Sequence, residues 1–140
     1  METICELNCN VDDMTGEAIG FAMDRLFEAG AIEVYTVPIG MKKSRPGVLL
    51  HIVCFEKDKK TILHTIFKHT TTLGVRENLI RRYALERNIE IVETTYGPVR
   101  CKVSNGYGVE RRKYEYEDIA CIARENGMSI EMVLKILEKN

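Results

Sequence analysis

The 140-residue chain has no C-x-x-C pair, no two histidines at i, i+4 spacing and no apolar run long enough to cross a membrane. It also has no glycine-rich loop ending in Gly-Lys-Ser/Thr, no G-x-S-x-G elbow and no G-x-G-x-x-G fingerprint. These absences exclude the common zinc motifs, the Walker nucleotidases, the serine-elbow hydrolases and the dinucleotide-binding turn. Excess charge of one sign is missing too. Twenty basic and 21 acidic residues leave a formal net charge of −1, so broad binding to nucleic acid or to an anionic membrane is not expected. An anion site must therefore be a local cluster of basic residues. No secretory signal is read. The cysteines are odd in number, five, which fits free thiols in a reducing cytoplasm. Repeats, low-complexity segments and linkers are absent as well.

What is present is an ordinary globular balance, 45 % hydrophobic and 29 % charged, in a chain of single-domain length. Residues 2–11, ETICELNCNV, alternate apolar and polar, with Cys5, Leu7, Cys9 and Val11 on one face of a half-buried strand. Cys5 and Cys9 read as core residues, the alternative being a thiolate site for a soft metal. Thr15 can cap a helix with Glu17 in its first turn. Ile19, Ala22, Met23 and Leu26 form its stripe, and Gly30 stops it. Residues 32–39 read as a second strand, with Pro38 implying an edge or a bulge.

Residues 48–55 read as a strand buried on both faces, 57–69 as an amphipathic helix and 75–85 as a strand. The order β-α-β-β-α-β predicts an α+β chain with a ferredoxin-like core. Beyond a soft boundary near Arg87-Asn88, a hairpin turning at Tyr96-Gly97, a strand over 109–114 and two short helices are expected. Gly127 separates those helices, and Ser129 caps the second, which would bury Ile130, Val133, Leu134 and Leu137. The division expected is thus a core over 1–88 and an extension over 89–140 within a single domain.

Three segments are not explained by packing. In NVDDMTGE, the carboxylates of Asp12 and Asp13 stand at a strand end beside a helix N-terminus, where hard oxygen ligands suit Mg²⁺ or Mn²⁺; a cap plus a solvated acid fits the same spacing. In GMKKSRPG, Lys42, Lys43 and Arg45 crowd a loop between strands. They offer a guanidinium fork and mobile ammonium groups to phosphate, or they blunt a solvated hairpin tip. In HTTTLGVR, the hydroxyls of Thr70, Thr71 and Thr72, the freedom of Gly74 and the charge of Arg76 make a phosphate cradle or a helix end. Arg100 and Lys102 share one face of the expected hairpin strand, and the run Arg111-Arg112-Lys113, interleaved with Glu110, Glu115 and Glu117, reads as a solvated strand face or an oligomer contact.

These three motifs, followed in order by TTYGPVRCKV and YEYEDIACIARENGMSIEMV, resemble the LarC family over nearly the whole chain. The resemblance implies a nickel insertion protein for the pyridinium-3,5-bisthiocarboxylic acid mononucleotide, a CTP-dependent cyclometallase (a nickel chelatase of the lyase class). Such a protein inserts Ni²⁺ to make the pincer cofactor of lactate racemase. It further implies that the C-terminal domain binds CTP with Mn²⁺ or Mg²⁺. The motif positions then assign nucleotide contacts to Lys42, Lys43, Arg45, Thr71, Thr72 and Arg76, and metal contacts to Asp12 and Asp13; no catalytic residue is singled out. Also implied are a homo-oligomer, trimer-based, and a preceding domain, often rich in histidine, supplied within a longer protein or as a separate partner. A ligand-sensing or oligomerisation domain without catalysis is the competing reading, since fold does not fix function.

Overall fold

A computed structural model describes residues 1–139. The chain forms two compact units, Met1–Tyr83 and Ala84–Asn140. Arg87 and Asn88, where the sequence suggested a soft boundary, lie inside a strand of the second unit.

The first unit contains β1 (Glu2–Val11), α1 (Gly16–Glu28), β2 (Glu33–Met41), β3 (Arg45–Phe55), α2 (Lys59–His69) and β4 (Arg76–Arg82). The strands form one antiparallel sheet in the order β2-β3-β1-β4, the ferredoxin-like α+β arrangement. Alternation along β1 puts Cys5, Leu7 and Cys9 on one face, beside Leu50, Ile52 and Cys54 of β3. Leu26 of α1 and Ile62 and Ile66 of α2 close on that face, and all nine side chains are buried. Thr15 caps α1 as expected, its hydroxyl accepting from the Ala18 amide at 3.1 Å. Pro38 sits on β2, an edge strand, where one ladder face has no partner to miss its N–H.

Cys5, Cys9 and Cys54 belong to this core. Burial, and then a hydrogen bond donated to Glu77, pushes the Cys5 thiol up to about 12, and burial raises Cys54 as well. Burial thus favours the neutral thiol at these positions. Two strands depart from expectation. β3 begins at Arg45 rather than near residue 48, because Met41 pairs with Arg45 and the ladder runs on to the tip. β4 ends at Arg82, opposite Glu2, the first residue of β1.

The second unit is a three-stranded antiparallel meander, β5 (Glu86–Thr94), β6 (Gly97–Gly106) and β7 (Val109–Tyr114), followed by α3 (Tyr116–Asn126) and α4 (Ile130–Glu138). The β5–β6 turn lies at Thr95-Tyr96, one residue earlier than expected. The Thr94 hydroxyl fixes it by accepting from the Tyr96 amide and donating to the Gly97 carbonyl. Val99 packs against Ile119, Ile122, Val133 and Leu137. Ser129 caps α4, accepting from the Met132 amide at 3.1 Å. Ile130, expected in the core, is 37 % exposed. It opens the helix, one turn ahead of the residues that reach the sheet. Among the described residues no helix is long and apolar enough to span a membrane.

Several basic residues of this unit are paired with carboxylates. Arg100 binds Asp118 through both its guanidinium and its backbone amide, and Lys102 lies 3.5 Å from Glu115. Arg112 is shared by Glu90 and Glu110. The Arg100 side chain, and then its backbone amide, holds the Asp118 carboxyl down at about 2. A depressed folded-state value stabilises above the unfolded carboxylate range, near 4, and that stabilisation disappears as pH falls through about 2. Asp118→Asn should therefore lower the melting temperature at pH 7, and the gap to wild type should close as both are melted at pH values descending from about 4 towards 2. An unchanged gap across that range would deny the pair its role.

Candidate metal and nucleotide site

Antiparallel pairing decides which loops meet. β1 and β2 both end, and β3 and β4 both begin, at one end of the sheet, since Val11 pairs with Val48, Met41 with Arg45, and Asn8 with Arg76. The N-terminus of α1 follows β1 directly, and the C-terminus of α2 leads into β4. The acidic, basic and threonine motifs, spread over more than sixty residues, are thereby delivered to one edge of the first unit.

Side-chain contacts join them. Asp12 Oδ2 lies 3.6 Å from Arg45 Nη1. Asp13 Oδ1 accepts a hydrogen bond from the Thr71 hydroxyl. Arg76 Nη2 donates to Asn10 Oδ1 at 3.0 Å. The Asp12 side chain is largely shielded at 21 % exposure, while Arg45 remains 56 % exposed and free to swing. Since Thr15 already caps α1, Asp13 is not needed as the cap and is committed to Thr71 instead.

The threonine loop is shaped by its own hydroxyls. Thr70 Oγ1 donates to the Ile66 carbonyl, and Thr72 Oγ1 donates to the Gly74 carbonyl at 2.9 Å. Thr72 thus sets the backbone between α2 and Arg76, and Thr71 is the hydroxyl turned towards the acidic pair. Beneath it lies Cys9, whose thiol burial pushes up while Thr72 and Arg76 pull it back.

The basic loop is tight. Only Lys42–Ser44 separate β2 from β3, and Lys43 and Ser44 take left-handed φ of 62° and 58°. Among the described residues Lys42 and Lys43 make no ion pair, and both are exposed. Gly47 secures the strand beside the loop: a Cβ there would collide with the Met41 side chain and stand 2.9 Å from the Val11 carbonyl oxygen.

Six charges converge here, four cationic (Lys42, Lys43, Arg45, Arg76) and two anionic (Asp12, Asp13), a local excess of two positive charges in a chain of net charge −1. That balance suits an anion rather than a bare cation. Among the described residues no group of three or more His, Cys, Asp or Glu side chains could enclose a metal ion. Two carboxylates and a hydroxyl supply hard oxygen donors for part of a Mg²⁺ or Mn²⁺ shell, with phosphate and water to complete it. Asn10 is a site residue that motif reading missed. Its signal was parity, because Asn10 alternates with Cys9 and must face away from the core.

Comparison with known proteins places the chain in a family. The profile of the family described as nickel insertion protein matches residues 1–134. The chain belongs to that family. It is 43 % identical over 133 residues to the pyridinium-3,5-bisthiocarboxylic acid mononucleotide nickel insertion protein of Alkaliphilus metalliredigens, covering 95 % of this chain and 32 % of that one. Against the protein of the same name from Acetivibrio thermocellus it is 38 % identical, covering 99 % and 34 %. The chain thus spans about a third of the length of these relatives. A solved structure of the C-terminal domain of a LarC cyclometallase involved in synthesis of the lactate racemase cofactor, in its apo form, superimposes with a TM-score of 0.87. Sequence identity is 34 %, and 97 % of this chain and 94 % of that one are covered. A protein of Methanopyrus kandleri shares the fold at a TM-score of 0.69 and 24 % identity, over 93 % of this chain and 81 % of that one.

Gly47→Ala tests whether the loop depends on close strand approach. Met41 can rotate away from a new methyl group, but the Val11 carbonyl is held in the sheet. The substitution should destabilise the protein by about 1–3 kcal/mol, read from urea denaturation followed by circular dichroism. A loss of only a few tenths would mean that the strand end yields.

Proposed function

We propose that the first unit binds CTP together with Mn²⁺ or Mg²⁺. As part of a complete nickel insertion protein it would serve the CTP-dependent insertion of Ni²⁺ into the pyridinium-3,5-bisthiocarboxylic acid mononucleotide. Ni²⁺ is the cargo, and the product is the pincer cofactor of lactate racemase. The observation that carries this reading is the convergence of an acidic pair and four cations on one end of one sheet. Membership of the nickel insertion family supports it.

Each group has a distinct task. Lys42 and Lys43, exposed on the loop, meet the triphosphate as point charges, and Arg45 offers two parallel N–H bonds to one phosphate. Arg76, held by Asn10, and the Thr71 and Thr72 segment close the opposite side. Two carboxylates beside a triphosphate repel it, and a divalent ion between them reverses that sign. When bound, the metal neutralises phosphate charge and orients the reacting groups. The Asp12–Arg45 contact holds the arginine near the acid until metal or phosphate takes one of them. The exposed loop cations also allow contact with nucleotide on a neighbouring copy, in line with a trimer-based homo-oligomer.

Calorimetry with CTP, UTP, ATP and GTP, with Mn²⁺ and with chelator, tests the reading. Arg45→Ala should weaken CTP binding about tenfold or more, since a charge-assisted bond contributes about 1.5–3 kcal/mol and about 1.4 kcal/mol is one decade. Asp12→Asn and Asp13→Asn should lose the metal-dependent part of affinity and of CTP turnover. Metal-free binding should survive, and in Asp12→Asn improve slightly because Arg45 is released. Variants that keep the wild-type response to Mn²⁺ would remove the acidic pair from metal binding. Saturable binding with no turnover in the full-length protein would favour a sensing domain.

A further inference from the structure

The second unit holds a cavity of about 510 Å³ between its sheet and its two helices, within the range of small-molecule sites. Its walls are apolar, formed by Ile119, Ile130 and Leu134, and Tyr114 and Tyr116 add two aromatic rings. Ile130 and Tyr116 are exposed here rather than packed. Its rim is charged. Arg112 is already shared by Glu90 and Glu110. Lys113 and Glu138, of opposite sign, make no ion pair among the described residues.

A hydrophobic guest would find two unused charges at such a mouth, and a simple anion would meet Glu138. A flat ring that is itself positive and bears an acid group satisfies every feature. Its faces suit tyrosine by cation–π attraction, its ring charge suits Glu138 and its acid group suits Lys113.

We propose that this cavity binds the N-substituted pyridinium ring, with its carboxylate or thiocarboxylate arms, of the mononucleotide substrate. The identity of the ring rests on the function proposed above, whereas the cavity uses none of the residues assigned there to CTP or metal. Nucleotide activation and substrate capture then belong to different units of the chain.

The test uses 1-methylpyridinium-3,5-dicarboxylate as probe, with benzene-1,3-dicarboxylate as a control lacking the ring charge, both titrated by calorimetry into the intact chain. Wild type should bind the pyridinium probe saturably and at least about threefold more tightly than the benzene control, the scale of a cation–π contact plus one rim charge. Glu138→Gln should narrow the gap between the two affinities, and Lys113→Ala should weaken both. Ile130→Trp, which fills the cavity, should abolish binding while amide spectra show the fold intact. The two rim variants are surface changes and keep the test decisive if the tryptophan variant misfolds. Equal affinity for the two probes in wild type, or indifference to Glu138→Gln and Lys113→Ala, would overturn the proposal. CTP titrations on the same samples separate the two readings. Probe binding without CTP binding removes the nucleotide site and leaves the cavity standing, and CTP binding without probe binding removes the cavity alone.

Discussion

Strand β1 is the constraint on which the first unit depends. It is hydrogen-bonded on both sides, to β3 and to β4, and every second residue from Cys5 to Cys9 enters the core. A fully buried leucine or isoleucine contributes about 1.5–3 kcal/mol, and the core holds several: Leu7, Leu26, Leu50, Ile52, Ile62 and Ile66. An ion contact such as Arg45 to Asp12, at 3.6 Å and half exposed, contributes about 0–1 kcal/mol. The core therefore places the charges, and the charges do not hold the core. The end of β1 can accordingly carry two adjacent carboxylates beside four cations without threatening the fold.

That separation of roles explains how the candidate site is organised. Groups that face the core or set the backbone are spent on structure: Thr70 and Thr72 on their own loop, Thr15 on the cap of α1, Gly47 on strand approach. Groups that face outward keep exchangeable partners or none, as Arg45, Lys42 and Lys43 do. A bound phosphate can recruit these cations without breaking a buried hydrogen bond, so little of the interaction is lost to rearrangement.

The second unit follows the same logic with a different outcome. Its helices are capped at Ser129 and stopped at Gly127, whose φ of 61° favours glycine. Val133 and Leu137 reach the sheet from α4 and Ile130 does not, so the layers separate at one end and leave a cavity instead of a closed core. Ion pairs hold Arg100, Lys102 and Arg112 along its strands, while Lys113 and Glu138 stand at the cavity mouth without one among the described residues.

Much of this was written in local pattern. Alternation announced β1, the three- and four-residue spacing announced α1 and α2, Pro38 announced an edge, and Thr15 and Ser129 announced caps, because each depends on a residue and its near neighbours along the chain. The three motifs were legible as chemistry, though each also had a structural reading by itself. Only the tertiary structure showed which of these groups meet. Strand pairing brought Asp12 to Arg45, Asp13 to Thr71 and Asn10 to Arg76, contacts spanning 33 to 66 residues of chain. It likewise carried β3 back to Arg45 and left Ile130 at the mouth of a cavity. Periodicity reports which face of an element is apolar, but which element covers that face is settled by packing between distant segments. The core and caps were therefore visible in the sequence, while the partners of the charged groups and the shape of the cavity were not.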